Sequence, residues 1–346
     1  MNGWTLLILG VLLAGLAVGS LAWLFVRNER KEIPLSAEGP ARLGAAQQGT
    51  LPETPPAPDI ETLGSYHIER LLGRGSMGRV FLGRDQENGA EVAIKTMALT
   101  HEFDPEQLDE ARARFFREAE TAARLHHSGI VSVIGSGEDH DLAWIAMEFL
   151  RGEPLSRWTE KNSLLPLPEA LSVVRQAALA LDHAHKHQVV HRDVKPANIL
   201  YDRERGKAKV TDFGVARLTD ACRTRTGLVL GTPAFMSPEQ LAGKHVDSRS
   251  DIFSLGVMLY QLVTGQLPFR GGSLGELMHA IVHKEPDDPR LLNPRLPAAL
   301  SAIVMKALQK DVAARFQTGA QMALALVRLE AVLREKKMPT GATHDA

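Results

Sequence analysis

The sequence predicts an α+β protein, preceded by one membrane-spanning helix. Its first part is strand-rich with one long helix; its second is longer and mainly helical. Three observations carry this. Three short apolar-alternating runs broken by glycines, His67 to Gly73, Arg79 to Arg84 and Glu91 to Met97, read as strands. From Pro168 onward, apolar residues such as Leu171, Val174, Ala178 and Leu181 recur at helical spacing. Ahead of both, Trp4 to Val26 runs for 23 residues without a charge. At about 1.5 Å per residue that run reaches ~34 Å, enough to cross a hydrocarbon core of about 30 Å.

Composition sets outer bounds only. With 346 residues, 44% of them hydrophobic, the chain can bury a sizeable core. Its formal net charge of -1 gives no pull towards nucleic acid, and no nucleic-acid partner is expected. The single cysteine, Cys222, rules out an internal disulfide framework and fits a reducing compartment.

The apolar run at residues 4–26 is bracketed by Trp4 and Trp23, residues that favour membrane interfaces. A cleavable signal peptide ending near Ala17-Val18-Gly19 is the alternative. The run is long for that purpose, and no Lys or Arg precedes it. Arg27, Arg30 and Lys31 follow the span, so the positive-inside rule puts that flank in the cytoplasm. The expectation is a single-pass protein of the inner (cytoplasmic) membrane, its amino terminus outside and nearly all else in the cytoplasm. Residues 27–64, rich in Pro, Ala and Gly from Glu32 onward, read as a disordered juxtamembrane linker.

In the strand-rich part, Gly73, Gly75 and Gly78 lie between the first two strands, interleaved with Arg74, Ser76 and Met77. Without Cβ atoms, such a loop can close over phosphates and present its N–H groups to them. The glycine run leads into a second strand, Val80-Phe81-Leu82, rather than a helix, which disfavours a dinucleotide-binding fold. Lys95 ends the third strand in an apolar setting, where an ammonium needs a partner. The predicted helix Pro105 to Leu125 offers Glu118 and Glu120. Leu142 to Met147 reads as another strand, and Glu148-Phe149-Leu150 as the link to the helical part.

In the helical part, Pro168 to Lys186 and Ser250 to Val263 are the clearest helices, the second apolar enough to be central and buried. Asp251 inside it should be hydrogen-bonded. Further helices are expected near 273–284, 297–308 and 318–335, followed by a flexible tail at 336–346. His183 and His187 share a helical face, but no Cys or carboxylate stands arranged as further zinc ligands.

Between the two clear helices runs His191-Arg192-Asp193-Val194-Lys195-Pro196-Ala197-Asn198, followed by Asp212-Phe213-Gly214. The apolar pairs Val189-Val190 and Ile199-Leu200, with Lys209-Val210-Thr211, read as short strands holding these polar residues at a rigid edge. Asp193 could accept a proton from an attacking hydroxyl. Lys195 could neutralise a phosphoryl group in flight. Asn198 and Asp212 offer hard oxygen ligands of the kind Mg2+ takes.

Taken with Gly73 to Val80 and Val92-Ala93-Ile94-Lys95, this ordered set resembles the eukaryotic-type (Hanks-type) protein kinase family. Gly231 to Gln240 is most similar to its bacterial branch. The resemblance covers roughly residues 65–335, with a small lobe at about 65–147 and a large lobe at about 151–335. It implies a bilobal protein-kinase fold and a non-specific serine/threonine protein kinase using ATP and Mg2+, with Mn2+ as an alternative ion.

The resemblance also implies roles. Gly73, Arg74, Gly75, Ser76, Met77, Gly78 and Lys95 would hold phosphates, and Val80 and Ala93 would line the adenine site. Met147 would be the gatekeeper, with Glu148 and Leu150 in the hinge. Glu118 is the better match for the helix glutamate that pairs with Lys95. Asn198 and Asp212 would hold the metal, and Asp193 and Lys195 would be catalytic. Glu239 would pair with Arg315, and Asp251 would brace the catalytic loop. Two positions depart from the pattern: Gln188 stands where a glycine is common, and Ser237 where alanine is usual. Thr224 and Thr226, with Thr219 weaker, are candidate phosphorylation sites whose phosphate could engage Arg192 and Arg217. Phosphorylation between neighbouring copies in a transient homodimer is the expected route. A catalytically dead scaffold is disfavoured because Lys95, Asp193, Asn198 and Asp212 are all present. A small-molecule phosphotransferase is disfavoured by the Gly231 to Glu239 segment, which implies a groove for protein substrates.

Overall fold

The computed structural model describes residues 60–75, 78–98, 105–213 and 233–335. The expected membrane span and tail and the expected linker up to residue 59, together with Thr219, Thr224, Thr226 and Arg217, lie outside the described residues. So do Ser76 and Met77. The linker expected to run to residue 64 is corrected at its end: Thr62 and Leu63 form a strand paired with His67 and Tyr66, because Leu63 is buried against Tyr66, Ile94 and Trp144.

The small lobe is a six-stranded antiparallel sheet in the order β1-β2-β3-β4-β6-β5. Its strands are β1 (Thr62–Leu63), β2 (Tyr66–Gly75), β3 (Gly78–Asp85), β4 (Glu91–Ala98), β5 (Val133–Asp139) and β6 (Leu142–Glu148). Period-two alternation divides its apolar residues between two faces. Val92 and Ile94 pack with Leu63, Tyr66, Trp144 and Ala146 on one. Met97, Ala143 and Ile145 pack on the other beneath Phe115 and Ala119 of α1 (Pro105–Ala123). Strand β5 carries two glycines and gives little strand signal in sequence. Gly137 has a steric reason, since a Cβ there would lie 2.6 Å from the Trp144 ring. His140 and Asp141, at φ 52° and 59°, make the tight turn that joins β5 to β6.

The large lobe is built on α2 (Leu167–Lys186), α4 (Ser248–Thr264), α7 (Ala298–Ala307) and α8 (Gly319–Glu335). The short α3 (Pro238–Leu241), α5 (Leu274–His283) and α6 (Pro289–Leu292) complete it. Helix α4 is buried along almost its whole length, as its unbroken apolar character predicts. Gly256 lets α7 approach, since a Cβ there would meet that of Ala307 at 2.8 Å. A small antiparallel sheet, β7 (Glu153–Pro154), β8 (Ile199–Asp202) and β9 (Lys207–Val210), also belongs to this lobe.

One expected strand is corrected. Val189-Val190 does not form one. Instead the chain closes α2 with a pair of capping bonds, Gln188 N–H to His185 O at 2.9 Å and Val189 N–H to Ala184 O at 3.0 Å. Gln188 takes the left-handed conformation, φ 62°, at the place where a glycine is common.

The expected pairing of Glu239 with Arg315 is present and bidentate, at 2.7 and 2.8 Å, with Arg315 only 2% exposed. Ser250 also donates to Glu239, at 2.5 Å. Burial pushes the Glu239 carboxyl up, but the Arg315 and Ser250 hydrogen bonds outweigh it and hold the group below its ordinary value. The segment after residue 233 is thereby clamped onto α4.

Candidate active site

The loop between α2 and β8 is held in an uncommon conformation by α4. Arg192 (φ 66°) and Asp212 (φ 60°) are both left-handed and neither is glycine. Asp251, fully buried in α4, accepts from His191 N–H at 2.9 Å and Arg192 N–H at 2.8 Å. It also lies 2.7 Å from His185 Nε2. These partners satisfy a buried carboxylate and, in turn, pin the loop. His191 is itself buried, with Nε2 2.9 Å from Thr211 O and its ring 4.7 Å from that of Phe213. The turn carrying Asp193 is therefore tied both to α4 and to the segment that delivers Asp212.

Within this frame the predicted polar residues converge. Lys195 Nζ is 2.7 Å from Asp193 Oδ2. Asn198, on the 3-10 turn Pro196–Asn198, donates its amide to Asp193 O at 2.8 Å and to Asp193 Oδ2 at 3.0 Å. With its nitrogen committed, Asn198 keeps its amide oxygen as a hard ligand. Across the cleft, Lys95 Nζ from β4 lies 2.5 Å from Asp212 Oδ1. Burial pushes the Asp212 carboxyl up, but Lys95, with His191 and Lys195 adding, keeps it below the ordinary carboxylate value. Asp212 is thus an ionised oxygen donor beside an amide oxygen donor, a set that fits Mg2+.

The nucleotide side follows from strand register. Val80 pairs with Lys95, and Lys95 with Ile145; Ala93 pairs with Met147. Val80, Ala93, Lys95 and Met147 consequently share one face of the sheet. Gly78, at φ 148°, admits only glycine, because a Cβ would fall 1.8 Å from Thr96 O. Gly73, Arg74 and Gly75 end β2, and Gly75 pairs with Gly78. The Glu118 side chain lies outside the described residues. Glu120, the other candidate on α1, is exposed, so it does not meet the need of Lys95 for a buried partner. Leu150 is half-buried just beyond β6.

Three contacts at the site have no signature in the sequence. Glu148, expected at the hinge, spends its carboxylate on Lys209 Nζ at 2.5 Å and Ser132 N–H at 2.8 Å. His185 is the second support of Asp251. Gln240 Nε2 donates to Arg192 O at 2.8 Å. Each joins segments far apart in the chain, and periodicity carries no information about such pairs.

A strand-rich lobe and a helical lobe that bring Lys95, Asp193, Lys195, Asn198 and Asp212 into one cleft define a kinase-type phosphotransferase fold. The chain belongs to the protein kinase domain family, which matches residues 66–326. It is 39% identical over 260 residues to the serine/threonine-protein kinase PrkC of Bacillus subtilis, covering 75% of this chain and 39% of PrkC. The chain spans about two fifths of the length of that relative and of two others, at 39%, 41% and 42%. Among solved structures, the PknI kinase domain of Mycobacterium tuberculosis matches at 30% identity and TM-score 0.61, covering 77% of this chain and 97% of that domain. Rad53 in complex with AMP-PNP matches at 25% identity and TM-score 0.62, covering 75% of this chain and 64% of that one.

Proposed function

We infer that this chain is a membrane-anchored serine/threonine protein kinase that transfers the γ-phosphoryl group of ATP to Ser or Thr hydroxyls of proteins. The observation that carries the reading is the meeting of Asp193, Lys195 and Asn198 with the Lys95–Asp212 pair in one cleft. PrkC and its like are named serine/threonine kinases, and the Rad53 structure holds an ATP analogue, which supports the same chemistry here.

In this reading Asp193 orients the substrate hydroxyl and accepts its proton, and Lys195 offsets charge that develops on the transferring group. Lys95 and the glycine turn at Gly73, Arg74, Gly75, Ser76, Met77 and Gly78 hold the phosphates. Val80, Ala93, Met147, Glu148 and Leu150 receive the adenine, and Glu118 supports Lys95. Asn198 and Asp212 would hold Mg2+, which when bound neutralises phosphate charge. Catalysis is then mostly positioning and electrostatics. Arg192, beside Asp193, and the threonines Thr224 and Thr226 form the proposed activation switch, set by phosphorylation between neighbouring copies. The charge-free run at residues 4–26 is the proposed anchor, with the kinase domain in the cytoplasm.

The test is phosphosite mapping of the purified full chain after incubation with Mg-ATP and an added protein, beside Asp193→Asn. Phosphate should appear on Ser and Thr of the added protein and on Thr224 or Thr226. The variant should lose about 10²–10⁴-fold in turnover. Undiminished turnover in Asp193→Asn would sink the assignment of Asp193. The anchor predicts that the full-length chain stays with membranes through alkaline carbonate extraction; a processed, soluble chain would refute it.

A further inference from the structure

The segment after residue 233 touches the candidate catalytic loop through a side chain that the reading above leaves without a role. Ser237 caps α3, and a reciprocal capping box joins it to Gln240. Gln240 Oε1 accepts from Ser237 N–H at 2.9 Å and from Ser237 Oγ at 3.1 Å, while Gln240 N–H donates to Ser237 Oγ at 3.4 Å. Because the amide oxygen is engaged twice, the orientation of the amide is set, and its nitrogen points away from the cap. That nitrogen donates to Arg192 O at 2.8 Å. The same residue gives its N–H to Asp251 at 2.8 Å. Left-handed Arg192 is thus held at both of its backbone polar groups, and its carbonyl belongs to the peptide that starts Asp193. The anchor of this clamp is stiff: Ser237 is fully buried and the adjacent Glu239 is locked to Arg315 and Ser250.

We propose that Gln240 is a positioning residue for phosphoryl transfer. Its amide, aimed by the Ser237 capping box, fixes the Arg192–Asp193 peptide and so the direction in which Asp193 presents its carboxylate. The clamp also couples the Pro233 to Leu241 segment to Asp193, so that disturbance of one reaches the other. Ser237, a departure from the usual alanine, supplies the hydroxyl that makes the cap. This inference rests on the reading of Asp193 as the group that accepts the hydroxyl proton.

The discriminating variant is Gln240→Glu in the full chain. It keeps the oxygen that Ser237 bonds but replaces the donor with a carboxylate oxygen facing a carbonyl. The expected result is a fall of about 10–100-fold in kcat for a protein substrate, the order that a misplacement near 1 Å produces. Nucleotide Kd should stay within about twofold of wild type, since the nucleotide face is untouched, while the carboxylate oxygen left facing a carbonyl should lower the melting temperature by about 2–4 °C. Acidification towards about pH 5 should narrow the gap to wild type, because a protonated glutamate can donate again. Ser237→Ala should fall in the same direction, and combining the two should cost less than the sum. A kcat for Gln240→Glu within about twofold of wild type, while Asp193→Asn is inactive, would overturn the role of Gln240 alone. Parallel losses of kcat, nucleotide affinity and melting temperature would reassign Gln240 to structure. If Asp193→Asn keeps its turnover, both the Asp193 reading and this one fall together.

Discussion

At the scale of single residues, two positions convert geometry into measurable stability. Gln188 sits at φ 62° in the cap of α2, where any side chain carries a steric cost of roughly 1–2 kcal/mol that glycine avoids. Gln188→Gly should therefore stabilise the fold by about 1 kcal/mol, even after glycine's greater unfolded-state entropy, raising the melting temperature by about 2–4 °C. Differential scanning calorimetry reads this directly, and a drop would mean the cap tolerates glutamine without strain. The Glu239–Arg315 pair works in the opposite direction. Arg315→Leu strands a buried carboxylate and should cost about 3–5 kcal/mol, seen as a lower urea midpoint at unchanged slope. The pair also sets an acid limit. Because the Glu239 pKa is held below its ordinary 4.5, its contribution is present above that value and is lost as pH falls through the folded value. Glu239→Gln should flatten that part of the acid-unfolding curve.

At the scale of elements, Lys310 joins α5 to the end of α7. Its ammonium donates to Ile281 O at 2.5 Å and lies 3.8 Å from the Phe269 ring centroid. Burial pulls its pKa from 10.5 down to about 8, with Glu285 opposing and Arg315 adding to the fall. Between those two values the unfolded chain binds the extra proton, so the stability contribution rises with pH across the window from about 8 to 10.5. Lys310→Met removes the titration. The melting temperature of wild type relative to this variant should climb between about pH 7.5 and about pH 10. A pH-independent difference would place the Lys310 pKa at its usual value.

At the scale of the whole molecule, polar links among the described residues join the two lobes, and the chemistry sits among them. Lys95 to Asp212 and Glu148 to Lys209 are ion pairs across that junction, and Val131 N–H to Val210 O at 2.9 Å is a backbone bond beside them. Lys95 is a partly exposed group in the cleft rather than a core residue. Lys95→Met should accordingly abolish most turnover while the domain still melts in one cooperative transition. A broad or early melt would show that the lysine holds the lobes together more than it serves the nucleotide.

The long, periodic elements were legible from local pattern. The glycine-broken strands up to Ala98, helix α2 and the buried helix α4 stand within a few residues of their expected places, because periodicities of 2 and 3.6 are written along the chain. The short polar strings were legible too, since Asp193, Lys195 and Asn198 contact one another within six positions of sequence. Strand β5 was not, as its glycines answer to Trp144 across the hairpin rather than to any strand preference. Nor was Val189-Val190, where capping bonds to α2 prevailed over β propensity. Of the supports of the site, the bracing of the loop by Asp251 was foreseen through the family resemblance and is present. Beyond reach were Gln240 to Arg192, Lys209 to Glu148 and His185 to Asp251, which are 48, 61 and 66 positions apart. The sequence by itself determined which long strands and helices form and which groups are available for chemistry, because those depend on local spacing. Only the tertiary structure decided which way Arg192 turns and what holds Asp193 in place, because those depend on which distant polar groups packing leaves to satisfy one another.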